Sequence, residues 1–124
     1  MSIASETALP PSGLPGILHL TVASRDTGES VSVWRQRIEP AHGTPAHRHL
    51  CDEVVTVQRG TAELRMLGSS RRLGAGDTVV LPASVDHQIL NVGAEPLEMI
   101  AVFTASPVQT VAPDGTTIDL PWRS

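Results

Sequence analysis

The sequence predicts an all-β domain, a sandwich or barrel, on three observations. Short runs rich in branched and aliphatic residues recur from Gly16 onward, turn-forming residues separate them, and no stretch sustains helical periodicity for three turns. Ten glycines and ten prolines fall mostly between the runs, where they mark chain reversals. Many short strands punctuated in this way close on one another to bury their apolar faces.

In order, the runs are Ile17 to Val22, Ser30 to Ile38, Glu53 to Gln58, Thr61 to Leu67, Thr78 to Leu81, His87 to Val92 and Leu97 to Phe103. Gln58-Arg59-Gly60-Thr61 joins two of them over a few residues, as an antiparallel hairpin would. Gly74-Ala75-Gly76-Asp77 supplies positions suited to positive φ before the next strand. Residues 1–15, with Pro10, Pro11 and Pro15, resist helix and bury little, which predicts a flexible arm. Residues 16–112 then form the barrel. Residues 113–124 are expected as an extended tail after the Pro113-Asp114-Gly115 turn, with Trp122 either packed on the barrel or exposed at a frayed end.

Composition narrows the function. At 124 residues the chain has room for one core. No apolar run is long enough to span a bilayer, so no membrane partner is expected. The N-terminus lacks a basic start followed by an apolar block, and the single cysteine, Cys51, has no internal partner; the cytoplasm is the expected compartment. A net charge of −4 with scattered basic residues offers no footprint for phosphate backbones, so nucleic acid is not an expected partner. Aromatic residues are scarce, which argues against stacking platforms for sugars.

A cluster of metal-ligating residue types stands out. His47 and His49 are two apart, so on a strand they share a face with α-carbons roughly 7 Å apart, close enough to converge on one ion. Glu53 lies four residues beyond His49, about 13 Å away if the strand simply continued, so the chain must turn at Leu50-Cys51-Asp52 to bring it back. The expected turn places Glu53 on the next antiparallel strand, opposite the histidines. His87 follows the turn Pro82-Ala83-Ser84-Val85-Asp86 and joins only through tertiary closure. His19 and His42 fit no motif, and Cys51 reads as structural because no triad accompanies it.

These residues resemble the cupin superfamily. Gly43, His47, His49, Glu53 and Gly60 match its first motif; Gly76, Pro82, His87 and Asn91 match its second, in the same order. Two departures stand. Three residues separate Gly43 from His47 where the family has five, which implies a differently shaped loop, and Ser84 occupies a position usually held by glycine. That turn is therefore either strained or of another type. The resemblance implies a double-stranded β-helix or jelly-roll barrel, a homodimer, and a metal site of His47, His49, Glu53 and His87.

Three imidazoles and one carboxylate suit one divalent transition metal ion (Fe, Mn, Ni, Co, Cu or Zn) and in octahedral geometry leave two positions open. The favoured expectation is a metal-dependent, dioxygenase-like oxidoreductase acting on a small organic substrate, with Glu53 doubling as the catalytic acid or base. The alternatives are a metal-dependent lyase, isomerase or decarboxylase, and a non-catalytic barrel that binds a small ligand or a metal. Leu64, Met66, Ile89, Leu97, Met99, Ala101 and Phe103 alternate toward one side of their strands and either line an apolar pocket or fill the core.

Overall fold

A computed structural model describes residues 8–27, 30–122 and 124. Residues 1–7 of the expected arm and Arg123 of the expected tail lie outside the described residues. The described residues form eleven strands: β1 (Ile17–Ala23), β2 (Ser32–Ile38), β3 (Arg48–His49), β4 (Glu53–Arg59), β5 (Ala62–Met66), β6 (Ser69–Leu73), β7 (Thr78–Leu81), β8 (His87–Asn91), β9 (Leu97–Phe103), β10 (Thr110–Val111) and β11 (Thr117–Ile118). Among the described residues the one helical element is a 3-10 turn at Arg25–Thr27, and no helix is long and apolar enough to cross a membrane.

The strands form a jelly-roll barrel. A five-stranded antiparallel sheet runs β1-β2-β9-β4-β7; two three-stranded sheets run β11-β10-β3 and β6-β5-β8. Gly43 bridges to Leu90 and His47 to His87, which stitches the loop before β3 onto β8. Alternation decides what fills the interior. Leu97, Met99, Ala101 and Phe103 on β9 and Val55 and Val57 on β4 are buried, and they meet Leu64 and Ile89 from the smaller sheets in a single core.

The Gln58–Thr61 turn corrects the hairpin expectation. β4 pairs with β7 and β9, whereas β5 pairs with β6 and β8, so this turn carries the chain from one sheet to the other. Gly60 serves that corner: its φ is 87°, and a Cβ there would stand 2.6 Å from the carbonyl oxygen of Pro96. Residues 50–52 form a second corner. β3 pairs with β10 and not with β4, so Glu53 approaches the histidines across the barrel interior instead of lying opposite them in one sheet.

The shortened loop after Gly43 is pinned by backbone pairing. Thr44 N donates to Ile89 O at 2.9 Å, and a Cβ on Gly43 would sit 2.4 Å from the Leu90 side chain. Ser84 keeps the left-handed conformation that glycine usually takes there, with φ of 64°, and its N–H donates to His49 O at 2.8 Å. Of the two possibilities, the turn is the strained one. Ser84→Gly is expected to raise stability by up to about 1 kcal/mol, because relief of left-handed strain exceeds the added freedom of the unfolded chain. Chemical denaturation checks this; a loss of stability would contradict it.

Candidate metal centre

The sequence-predicted ligands, though separated along the chain, come together inside the barrel. His47 is 9% exposed, His49 4%, Glu53 6% and His87 3%. One ligand atom from each histidine lies within 4.8 Å of the others. Glu53 Oε1 stands 3.4 Å from His49 Nε2 and 3.3 Å from His87 Nε2.

Local structure explains the convergence. His47 and His87 exchange backbone hydrogen bonds of 3.0 and 2.7 Å. Ala83 N donates to the Asp52 carboxylate at 2.8 Å, and Arg48 Nη1 pairs with Asp86 Oδ1 at 3.2 Å. Together with the Ser84 bond to His49, these contacts lock the His47–Asp52 segment to the turn that delivers His87. These contacts fix the backbone that carries the candidate ligands. Asn91, matched by the second motif, is a structural staple: its Nδ2 donates to Ile38 O and Glu95 O, and its Oδ1 accepts from Gly93 N.

Each ring nitrogen on the outer side is already engaged. His47 Nδ1 donates to Pro45 O at 2.7 Å and His87 Nδ1 to Val85 O at 3.2 Å. Since a carbonyl only accepts, both rings carry their proton on Nδ1 and turn the Nε2 lone pair inward. His49 Nδ1 lies 2.9 Å from the hydroxyl of buried Thr110, on β10, which can accept in the same sense. Thr110 is a supporting residue that the sequence offered no signal for. Thr110→Val is expected to weaken metal affinity about 10- to 100-fold with the fold retained, measured by competition against a chromophoric chelator. Unchanged affinity would deny Thr110 this orienting role.

Electrostatics agree with neutral ligands. His47 is pushed down to about 4, by burial first and then by the neighbouring His87; His49 is pushed down to about 3, by burial and then by His47 and His87. Buried His19 is also pushed down to about 4 by burial. In each case the folded pKa lies below the unfolded value near 6.5, so the unfolded chain takes up protons first as pH falls. The metal-free protein is expected to hold a nearly constant melting temperature from about pH 7 to 8, between the histidine range and the thiol range. Between pH 6.5 and 4 it should lose roughly 1.4 kcal/mol per pH unit for each histidine that stays neutral. Calorimetry with chelator present checks this, and a melting temperature that rose on acidification would contradict it. Burial, followed by the Glu53 charge, pushes the Cys51 thiol up, which fits a structural and unreactive residue.

The donor set fits a divalent ion. Glu53 Oε1 and His87 Nε2 are buried with no hydrogen-bond partner, in a place where imidazole lone pairs and a carboxylate crowd together. Such an arrangement is costly alone and is resolved by a cation. His47, His49, Glu53 and His87 are the residues that could hold it.

The ligands open onto a cavity of about 90 Å³ walled by Trp34, Val55, Ile89, Met99 and Ala101 from the strands, with Leu120, Pro121 and Trp122 crossing it from the C-terminal segment. The alternating positions thus divide between the two readings. Ile89, Met99 and Ala101 line the pocket, while Leu97 and Phe103 are fully buried core. His19, unassigned in the sequence, lies buried beneath this wall: its ring stacks on Trp122 at 3.8 Å, and its nitrogens meet Gln36 Nε2 at 3.0 Å and Thr21 Oγ1 at 2.8 Å. His42 is exposed and outside the cavity lining.

Comparison with known proteins places this arrangement. Auxin-binding protein 1 of Arabidopsis thaliana is 30% identical over 108 residues, covering 78% of this chain and 54% of that protein. The chain spans about half the length of the curated relatives that it matches first. Among solved structures, a recombinant oxalate oxidase in complex with glycolate aligns with a TM-score of 0.76 at 25% identity, over 89% of this chain and 62% of the other. The polyketide cyclase RemF from Streptomyces resistomycificus shares the fold, with a TM-score of 0.73 at 19% identity over 87% and 83% of the two chains. Residues 34–103 match the Cupin_2 family, described as a cupin domain, and with its jelly-roll barrel the chain belongs to the cupin family.

Proposed function

We propose that this cupin is a metal-dependent binding protein for a small organic acid, whose carboxylate meets the ion while its apolar body fills the cavity. The observation that carries this reading is the division of the cavity. One end holds His47, His49, Glu53 and His87; the rest of the lining is mostly apolar and aromatic, its Gln36, Thr44 and Thr110 are hydrogen-bonded within the protein, and among the described residues its one further ionisable side chain is the exposed Asp119. A lyase, isomerase or decarboxylase would need a second positioned acid or base, and the buried wall supplies none beyond Glu53. The ion would supply a Lewis-acidic centre for an anionic oxygen. The protein's own part is to fix the ion, exclude water and shape the apolar space. Likeness to auxin-binding proteins supports the same ligand class, since an auxin such as indole-3-acetate is a carboxylic acid on an apolar ring.

Titration calorimetry of indole-3-acetate and phenylacetate into Zn(II)-loaded and chelator-treated protein tests this. Saturable binding confined to the metal-loaded form is expected. Equal binding to both forms, or none to either, would overturn it.

A second reading, dioxygenase-like oxidation, is supported by the open positions that such a donor set leaves on an octahedral ion and by the likeness to oxalate oxidase. It predicts oxygen uptake by the Fe(II)- or Mn(II)-loaded protein with diketones, catechols, flavonols or oxalate. A flat oxygen-electrode trace across that panel favours the binding protein.

A further inference from the structure

The cavity is small for a ring-bearing acid. Its volume is about 90 Å³ and must also hold the ion, whereas an apolar cavity of about 150 Å³ is one that takes up a benzene ring. Either the ligand stops near the size of acetate, or one wall gives way. Packed interiors do not yield evenly, so the wall that moves is the one with the weakest ties and with space behind it.

The strand walls have neither. Val55 stands on β4 and Met99 and Ala101 on β9, each paired along both edges. Ile89 stands on β8, which pairs with β5 on one side and is bridged by Gly43 and His47 on the other. The C-terminal wall differs. Among the described residues, none makes a hydrogen bond with Asp119, Leu120 or Pro121. The segment is tied down at its two ends. Ile118 pairs with Thr110; past Pro121 the Trp122 ring stacks on His19 at 3.8 Å, and Ser124 O accepts from Ser32 Oγ at 2.8 Å and Ser106 Oγ at 2.6 Å. Behind it lies open space. Ile118, Asp119, Leu120 and Trp122 line the cavity on one side and, on the other, an outer groove of about 610 Å³ bounded by Leu50, Val108 and Gln109.

We propose that residues 119–121 form a strap that sets the size of acid the metal centre accepts: closed, with Leu120 against the core, it admits an acid as small as acetate, and it bows into the outer groove to admit a ring. The proposal rests on the metal-dependent binding reading above and adds its size limit. Leu120 is the specificity-determining residue. Its side chain is half-buried, packs against the core and borders the cavity, so a ring must displace it and acetate need not. Losing that burial costs a ring-bearing acid part of its affinity.

Acetate and phenylacetate differ by one phenyl ring, and their affinities for the Zn(II)-loaded wild type and Leu120→Ala are measured by calorimetry. Truncation removes the obstacle and keeps the strap. The affinity for phenylacetate relative to acetate is expected to rise about 3- to 10-fold in the variant, as for a half-buried leucine that no longer has to be displaced. Diffraction from wild-type crystals with phenylacetate bound is expected to show residues 119–121 shifted toward Leu50 and Val108, with β4, β8 and β9 in place. Metal-dependent binding with an unchanged ratio, or a phenylacetate complex whose strap lies where it does without ligand, overturns this proposal alone. So does wild-type protein that binds acetate and not phenylacetate, which would make Leu120 a fixed wall. Absence of metal-dependent binding of either acid by either protein overturns both this proposal and the reading on which it rests.

Discussion

Replacing His87 with alanine is expected to lower the affinity for a divalent ion by on the order of 10²–10³-fold while leaving the barrel folded. The ring presents Nε2 to the site with its Nδ1 held by Val85 O, and that Nε2 has no hydrogen-bond partner within the protein. Its loss removes a candidate ligand, along with ring contacts to His47 at 4.5 Å and His49 at 5.5 Å. The backbone exchange between residues 47 and 87 does not depend on the side chain, so the turn and its pairing persist. Metal titration beside a far-ultraviolet circular dichroism spectrum separates the two effects. Wild-type affinity in a folded variant would mean that His87 is a spectator.

Phe103→Ala is expected to cost about 3–5 kcal/mol and to lower the melting temperature by roughly 10–20 °C. Phe103 is fully buried and pairs in register with Ser32 on one side and Glu53 on the other. Its ring lies 4.2 Å from that of Trp34 and 5.0 Å from that of His49. The cavity left behind would therefore open beside both the candidate metal ligands and the aromatic wall, and packed interiors refill such voids only partly. Weaker metal binding should accompany the lost stability. Thermal melts of metal-free and metal-loaded protein check both. A shift of only a few degrees would contradict the central packing role given to this ring.

Much of the fold was legible because burial imposes a period on strands that face one core. The runs leading to β1, β2, β4, β5, β7, β8 and β9 each alternate or cluster apolar residues, and each forms a strand near the expected bounds. β6 escaped because it is Ser-Ser-Arg-Arg-Leu, a largely exposed edge strand with no apolar face to reveal it. The two-residue strands β3, β10 and β11 are too short to show any period. The hairpin reading of Gln58–Thr61 failed because a tight turn in sequence does not say whether the chain stays in its sheet or changes sheets. Partner choice is fixed by residues far along the chain, here Met99 against Val57 and Leu90 against Glu63.

The candidate site was legible in its donors and illegible in its supports. Spacing brought forward His47, His49, Glu53 and His87, whose residue types carry the chemistry. Thr110, 61 residues from His49, reaches it only through β10 pairing with β3. Trp34 and Trp122 come from opposite ends of the chain and meet only because the C-terminal segment crosses the cavity. Such contacts follow from tertiary closure, and local sequence has no means of recording them.

Anomalous diffraction from crystals of the Zn(II)-loaded protein is the most direct measurement of all. One peak is predicted per chain, about 2.0–2.2 Å from Nε2 of His47, His49 and His87 and from a carboxylate oxygen of Glu53. A peak bound through Nδ1 atoms, a peak elsewhere on the chain, or no peak at these four side chains would show that their convergence has some other purpose.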